Sequence, residues 1–179
     1  MRGVLIGRFQ PFHRGHLGVV RAIRAERPDS RLLLGIGSAE ESYTWKNPFT
    51  AGERFEMVLR ALDEAEVEGV EVVPIADIRR HGLWVRYLET FLPPFDRVYT
   101  NNPLTELLFE RAGYDVSRPT LLDRRRWEGA HVRTLLASGR GWRPLVPPAV
   151  ARYLDAIEAP ARLALLAKGE GRPSGGRPR

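Results

Sequence analysis

Short apolar runs alternate along this chain with segments whose apolar residues recur at helical spacing. The first three runs lie at 3–7, 32–37 and 70–75. Helical patterns follow the first and third runs at 15–26 and 82–92; the one after the second run begins at Thr50–Glu53, a capping box that marks a helix start. Such alternation is typical of βαβ units, which place parallel strands in one sheet with helices on its faces. The sequence therefore predicts an α/β fold, a Rossmann-like sandwich of helices around a mainly parallel sheet.

The second half of the chain continues this pattern with shorter strands, predicted at 97–99 and 119–123. Asn102 before Pro103 predicts a helix start, because asparagine is a favoured N-cap and proline a favoured first helical residue. The inner stripe of that helix is expected to consist of Leu104, Leu107 and Leu108. Three C-terminal helices are predicted after it, the last of them ending near Lys168.

Length and composition limit the class of protein. At 179 residues, 43% of them apolar, the chain is long enough for one domain, predicted over 1–168. Residues 169–179 are basic and rich in Gly and Pro, so this tail is expected to be disordered. The chain has no cysteine, which excludes disulfides and thiolate metal sites. No run approaches the roughly 20 apolar residues of a membrane span, so we expect a cytoplasmic protein without membrane attachment.

The net charge is +6, and arginine supplies almost all of the positive charge. A basic balance suits polyphosphate ligands as well as nucleic acid. No RNA-binding aromatic motif is present, which leaves nucleic-acid binding as a weak alternative. The chain also has no glycine-rich dinucleotide fingerprint and no P-loop, so a dehydrogenase or a P-loop kinase is disfavoured.

The turn after the first strand carries the most informative residues. The run ends at Gly7, and Arg8-Phe9-Gln10-Pro11-Phe12-His13-Arg14-Gly15-His16 follows before the helix. A helix start offers free N–H groups and a positive dipole end, which favour phosphate, and imidazoles can donate to phosphate oxygens. Gly15 would let the backbone approach a ligand closely. This turn is therefore predicted to bind phosphate.

Residues that follow the other strands are expected to meet this turn. The segments 8–16, 38–50, 77–84 and 100–103 each come after a predicted strand. Because ligands of parallel sheets bind beyond the carboxyl ends of the strands, one shared site is predicted there.

The string Gly-Arg-Phe-Gln-Pro-Phe-His-x-Gly-His at 7–16 resembles the nucleotidyltransferase superfamily with its His-x-Gly-His motif, and in particular the archaeal-type nicotinamide mononucleotide (NMN) adenylyltransferases. The similarity continues through 36–39, 47–54, 83–85 and 93–99 and covers about residues 1–168. It implies an enzyme that transfers AMP from ATP to NMN and forms NAD and pyrophosphate. It also implies a homo-oligomer, commonly a hexamer.

Several alternatives stay open at this point. The acceptor of the AMP group could be nicotinate mononucleotide, FMN or pantetheine phosphate in place of NMN, and a nucleotide sensor that has lost catalysis is a further alternative. In each enzyme reading a divalent cation, Mg²⁺ or another, is expected to bind mainly through ATP, and no protein ligand for it is assigned.

Transfer of AMP to a phosphate requires no general base, because the attacking phosphate oxygen is already ionised. It requires positive or hydrogen-bonding groups that stabilise the negative charge of two anions brought together. The catalytic candidates are His16, His13, Arg8 and Arg133, with His16 the first choice for the α/β-phosphate region. The residues assigned to ATP are Arg8, Phe9, His13, Gly15, His16, Gly129 and Arg133. The role of Arg133 comes from the resemblance, which places a Ser-Gly-Thr-x-x-Arg-type signature there.

The resemblance also implies an acceptor pocket formed by Ser38, Lys46, Asp77, His81, Trp84 and Asn102. Trp84 would stack on the nicotinamide ring in a cation–π contact, and Asp77 would hydrogen-bond the carboxamide or ribose. Core packing of Trp84 and helix capping by Asn102 stay open as alternatives.

The sequence departs from the family pattern at several of these positions. Glu128 replaces a serine and Ala130 a threonine, so the hydroxyl groups expected near the ATP phosphates are missing. His81 replaces an asparagine, and Lys46 stands where arginine is common; a lysine would meet the NMN phosphate as a point charge.

Overall fold

The fold is that of a computed structural model, which describes residues 1–119 and 127–169. The described strands form one sheet in the order β3-β2-β1-β4-β5, and every neighbouring pair is parallel. Their bounds are β1 Arg2–Gly7, β2 Arg31–Ile36, β3 Val70–Pro74, β4 Arg97–Tyr99 and β5 Asp115–Ser117. The predicted α/β fold is confirmed.

Helices connect and cover these strands. In the described ranges they are α1 Arg14–Glu26, α2 Ala51–Glu64, α3 His81–Phe91, α4 Pro103–Arg111, α5 Gly129–Ser138, α6 Pro148–Ala156 and α7 Ala159–Gly169, with a 3-10 turn at Arg143–Leu145. None of these helices has the length and apolar character that crossing a bilayer requires. The tail predicted from residue 169 onward lies, apart from Gly169, outside the described residues.

The two predicted helix caps are confirmed. Thr50 Oγ1 accepts a hydrogen bond from the Glu53 N–H at 3.1 Å, and the Glu53 carboxylate accepts one from the Thr50 N–H at 2.9 Å. Asn102 Oδ1 accepts from the N–H groups of Leu104 and Thr105. Each cap satisfies N–H groups that have no partner within the helix, and so fixes where the helix begins.

Apolar side chains are buried on both faces of the sheet. In β2, Leu32, Leu34 and Ile36 belong to the larger core, whereas Leu33 belongs to the smaller one, because successive strand residues point to opposite faces. The larger core includes residues of α1, α2, α5, α6 and α7, and the smaller core includes residues of α3 and α4. The residues that follow the carboxyl ends of β1, β2 and β4 border cavities beyond this packing.

Two predictions for the second half of the chain differ from the structure. The fifth strand of the sheet is Asp115–Ser117. The sequence predicted a strand over 119–123; Pro119 is not in a strand, and residues 120–123 lie outside the described ranges. In α4 the predicted inner stripe is confirmed only at Leu108, which is partly buried against the smaller core; Leu104 and Leu107 are 45% and 44% exposed. Phe109 is fully buried instead.

The physical reason for the second error is an aromatic cluster. The Phe109 ring meets Trp84, Phe95 and Tyr114 in edge-to-face contacts, with centroid distances of 5.5, 6.2 and 5.6 Å. A buried phenylalanine with such partners contributes more than a leucine at the same position. The helix is therefore oriented by Phe109.

A pair of substitutions on α4 tests this orientation. Phe109→Ala is expected to lower the free energy of unfolding by about 3–5 kcal/mol, because it leaves a cavity in the smaller core. Leu107→Ala, on the exposed face of the same helix, is expected to change it by no more than about 0.5 kcal/mol. Urea unfolding of both variants measures the difference, and equal losses would show that α4 is oriented by its leucines after all.

Candidate active site

The sheet order creates a crevice beside the end of β1. From β1 the strands extend to β2 and β3 on one side and to β4 and β5 on the other. Such a switch of direction opens a space beyond the carboxyl ends of the strands, and ligands of open α/β sheets bind there. Three neighbouring cavities lie at this edge.

The first cavity, the histidine cleft, has a volume of about 250 Å³. It is lined by Arg8, Phe9, Gln10, His13, His16, Glu128, Gly129, Ala130 and Arg133. All four candidate catalytic side chains are thus brought together, although Arg8 and Arg133 lie far apart in the chain. The starts of α1 and α5 both contribute residues to it, so two positive helix ends meet at one cleft.

The two histidines cap the start of α1 reciprocally. His13 Nδ1 accepts from the His16 N–H and His16 Nδ1 accepts from the His13 N–H, both at 3.3 Å. The rings are stacked, with centroids 3.5 Å apart. Because each Nδ1 is an acceptor, the neutral rings carry their protons on Nε2. Each histidine therefore keeps one N–H donor for a ligand in the cleft.

Both imidazoles are held in the neutral form at neutral pH. Burial lowers the pKa of His13 from 6.5 to about 4. Burial, together with the charge that His13 would carry, lowers the pKa of His16 well below its ordinary value. The histidines are thus hydrogen-bond donors, and the formal positive charge of the cleft comes from its arginines.

Arg133 is the buried cation of the cleft. Its Nη1 donates to the Gln10 carbonyl oxygen at 2.9 Å, while its buried Nε has no hydrogen-bond partner among the described residues. Burial, and to a lesser extent the nearby charge of Arg8, lowers the pKa of Arg133 to about 10, against a raising effect of Glu128. The guanidinium remains charged at neutral pH, so an anion in this cleft would be favoured.

Phe9 and Gly15 are the other residues of this turn that the sequence assigns to ATP. Phe9 has a left-handed backbone (φ 50°), which is uncommon for a non-glycine residue, and its buried ring stands edge-on to His16. Gly15 does not line the cleft. A Cβ at Gly15 would lie 2.6 Å from the Cβ of Trp127, so the close approach there is to this side chain.

The second cavity, the Trp84 cavity, has a volume of about 360 Å³. Most of the predicted acceptor residues line it: Ser38, Asp77, His81, Trp84 and Asn102. Arg8 lines it too, and so lies on the border between this cavity and the histidine cleft. Lys46 is exposed and lines neither of the two cavities.

Some of these side chains also have structural roles. Trp84 is half-buried and packs on Phe109, so the packing interpretation holds for part of its ring while the rest faces the cavity. Asn102 both caps α4 and lines the cavity. Asp77 is exposed, and its carboxylate accepts from the Arg79 N–H at 2.9 Å.

The third cavity, the Asn101 cavity, has a volume of about 330 Å³. Its lining includes Phe9 and His16 of the turn, Val19 of α1, and Asn101 and Pro119 after the last two strands. His16 borders both this cavity and the histidine cleft. The histidine cleft therefore adjoins the other two cavities, the Trp84 cavity at Arg8 and the Asn101 cavity at His16.

Two residues that support this site were not identified from the sequence. Gln10 is buried and makes two 3.0 Å hydrogen bonds with the backbone of Phe49, one as donor and one as acceptor. Arg54 is fully buried in α2, and its hydrogen-bond acceptors among the described residues are all backbone carbonyls. The available signal was the position of Arg54 four residues before Val58, on the face of α2 expected to point inward.

Comparison with known proteins places this chain in a family. The model of the cytidylyltransferase-like family matches residues 4–139. The nicotinamide-nucleotide adenylyltransferase of Picrophilus torridus is 46% identical over 163 residues, which cover 91% of this chain and 95% of that protein. The enzyme of the same name from Archaeoglobus fulgidus is 42% identical over 168 residues, with coverages of 91% and 95%. The chain therefore belongs to the cytidylyltransferase-like family, and within it to the archaeal nicotinamide-nucleotide adenylyltransferases.

Solved structures give the same fold. Two crystal structures of a bifunctional NMN adenylyltransferase/ADP ribose pyrophosphatase from Francisella tularensis match this chain with TM-scores of 0.75 and 0.73 at 19% identity. One of them was solved as a complex with AMP and a manganese ion. The match covers 94% of this chain but only about half of that longer protein. At this identity the likeness shows the fold.

The depressed pKa of His13 predicts a pH-dependent stability. Its pKa is about 4 in the folded chain and 6.5 unfolded, so the unfolded chain binds more protons between these values. The stabilisation is complete above pH 6.5 and is lost as the pH falls toward 4. Between pH 7 and pH 5 this one group should lower the free energy of unfolding by about 2 kcal/mol.

His13→Asn keeps an N-cap acceptor but removes the titrating ring, so its unfolding free energy should fall less steeply with decreasing pH. Urea unfolding followed by circular dichroism at pH 7, 6 and 5 measures this slope. The same substitution at His131, an exposed histidine of α5, is the matched control. A His13→Asn slope equal to that of the unsubstituted chain would contradict the assignment.

Proposed function

We propose that this protein transfers AMP from ATP to NMN, forming NAD and releasing pyrophosphate. The observation that carries the proposal is that Arg8 borders both the histidine cleft and the Trp84 cavity. A guanidinium at that border lies where the phosphates of two anionic substrates would meet. The names of the archaeal relatives, at 40–46% identity over about nine-tenths of the chain, support the same reaction.

In this reaction a phosphate oxygen of NMN attacks the α-phosphorus of ATP. The new bond joins that oxygen to the α-phosphorus, and the bond from the α-phosphorus to the bridging oxygen of pyrophosphate breaks. No base is required, because the attacking phosphate is ionised near neutral pH. The barrier arises from bringing two anions together and from charge that develops on the α-phosphate and the leaving group.

The residues of the histidine cleft supply the stabilisation that this step requires. The Nε2–H groups of His13 and His16 donate to phosphoryl oxygens, and preorganised neutral donors of this kind need no rearrangement during the step. Arg8 and Arg133 balance the negative charge, with fork geometry suited to phosphate. The backbone N–H groups at the start of α5 add donors that do not depend on the side chains at 128 and 130.

The three cavities suggest where each part of the substrates lies. The triphosphate occupies the histidine cleft, and the adenosine of ATP occupies the Asn101 cavity, which adjoins it at His16. The nicotinamide riboside part of NMN occupies the Trp84 cavity, where the pyridinium ring faces Trp84. The Asp77 carboxylate in that cavity would repel the carboxylate of nicotinate mononucleotide, which favours NMN as the acceptor.

A divalent cation, Mg²⁺ or a similar ion, is proposed to enter with ATP. Among residues 1–119 and 127–169 there is no group of three or more His, Cys, Asp or Glu side chains that could hold a metal ion. The histidine cleft contains one carboxylate, the exposed Glu128, which makes no capping hydrogen bond to α5. These surroundings fit an ion held mainly by phosphate oxygens and water, where it would neutralise triphosphate charge.

The homo-oligomer, the cytoplasmic location and the contact of Lys46 with the NMN phosphate stay predictions.

A panel of acceptors tests the proposed reaction. With ATP and Mg²⁺, NMN is expected to give NAD and pyrophosphate faster than nicotinate mononucleotide, FMN or pantetheine phosphate gives its own product. His16→Ala should lower kcat with NMN by about 10²-fold, the range of a lost transition-state donor. Chromatography of the dinucleotide products measures both. A different preferred acceptor would overturn the NMN assignment, and an unchanged kcat would remove His16 from the mechanism.

The role of Trp84 is separated from its packing by two substitutions. Trp84→Leu keeps apolar bulk against Phe109 but removes the aromatic face, and should raise the KM for NMN by about tenfold, a cation–π contact of about 1–2 kcal/mol. The KM for ATP should change much less. Trp84→Phe, which keeps an aromatic face, is the control and should recover most of the NMN affinity. Equal rises in both KM values for Trp84→Leu would indicate a packing role alone.

A further inference from the structure

Arg54 forms an unusual buried contact behind the proposed site. It lies in the first turns of α2 and is 0% exposed. Its guanidinium donates to four backbone carbonyl oxygens: those of Thr50 at 3.2 Å, Arg8 at 3.0 Å, Gly37 at 2.7 Å and Ser38 at 3.0 Å. One side chain thus connects α2 to the segments that leave β1 and β2.

Three of the four carbonyls that Arg54 contacts belong to residues in the walls of the proposed substrate sites. Arg8 borders the histidine cleft and the Trp84 cavity, and Gly37 and Ser38 line the Trp84 cavity. Ser38 has a left-handed backbone (φ 49°), a conformation that persists where the surroundings hold it. The hydrogen bond from Arg54 to its carbonyl is one such restraint.

The charge of Arg54 makes this arrangement stiff. Burial, which dominates over the raising effect of nearby Glu40, lowers its pKa to about 10, so the group remains a cation at neutral pH. A buried cation must keep its hydrogen bonds, because losing one costs more than losing a bond between neutral groups. A displacement of the Arg8 segment relative to the Ser38 segment would therefore break a charge-assisted hydrogen bond.

We propose that Arg54 is a positioning residue for the proposed AMP transfer. It fixes the distance between the ATP side of the site, at Arg8, and the acceptor side, at Ser38. Arg54 contacts neither substrate. It acts through the two backbone segments, whose separation decides whether the attacking oxygen and the α-phosphorus are aligned. This inference rests on the proposed function.

Arg24 provides a matched control for a purely structural role. Its guanidinium also donates to four backbone carbonyls, those of Glu68, Arg27, Ser30 and Pro28. It lies in the last turn of α1, and its partners precede β2 and β3, at the edge of the sheet opposite the site. The two arginines therefore make the same kind of hydrogen bonds and differ in the segments that they hold, although Arg24 is only partly buried and Arg54 is fully buried.

The experiment compares Arg54→Lys with Arg24→Lys. Lysine keeps the charge but has three donors and no fork, so both variants should have a lower Tm. Only Arg54→Lys should lose kcat, by about tenfold or more, because a displacement of about 1 Å can cost up to 10²-fold in rate. Calorimetric titration should show that Arg54→Lys still binds ATP and NMN separately, since the individual contacts remain.

Three outcomes would overturn the proposal. They are an unchanged kcat in Arg54→Lys, an equal loss of kcat in Arg24→Lys, or a loss of binding that accounts for the whole loss of rate. If Arg54→Lys does not fold, nuclear magnetic resonance of the unsubstituted chain decides through the Nη–H signals of Arg54, which report its hydrogen bonds to Arg8, Gly37 and Ser38. These protons should exchange with solvent much more slowly than those of Arg24, both with and without ATP or NMN, and exchange as fast as that of Arg24 would refute the role. Failure of the proposed function appears separately, as absence of NAD formation by the unsubstituted chain.

Discussion

The parallel pairing of β1 with β2 on one side and β4 on the other is the constraint on which the rest of this structure depends. Because all three strands point the same way, their carboxyl ends and the residues that follow them converge at one edge. The turn at 8–16, the Ser38 segment and the Asn102 cap are separated by dozens of residues. They become neighbours because each follows one of these strands.

The electrostatics of the site combine neutral and charged donors. The reciprocal capping of α1 by His13 and His16 leaves each ring neutral with a proton on Nε2. The charge is supplied by guanidinium groups, two of which, on Arg133 and Arg54, are buried and satisfied in part by backbone carbonyls. Burying a cation has a desolvation cost. Such a group persists where its interactions with an anionic ligand, or its hydrogen bonds to a fixed loop, offset that cost.

Much of this arrangement could be predicted from local patterns. The Thr50–Glu53 box, the Asn102–Pro103 start and the histidine turn depend on interactions within a few residues, so they can be recognised in the sequence. The inner face of α4 could not, because it depends on the partners of Phe109, which come from α3 and from two segments outside the helices. The support of the site by Gln10 and Arg54 was missed for the same reason, since both bind carbonyls or N–H groups of distant backbone.

The sequence by itself determined the order of strands and helices, the capped helix starts and the chemistry of the turn that follows β1, because these are set by residue type and short-range spacing. Only the tertiary structure decided that Arg8 lies between two cavities, that Arg133 joins the histidines across most of the chain, and that Trp84 packs on Phe109 while still facing a cavity. These features follow from how helices pack on the two faces of the sheet, and that packing is a property of the whole chain.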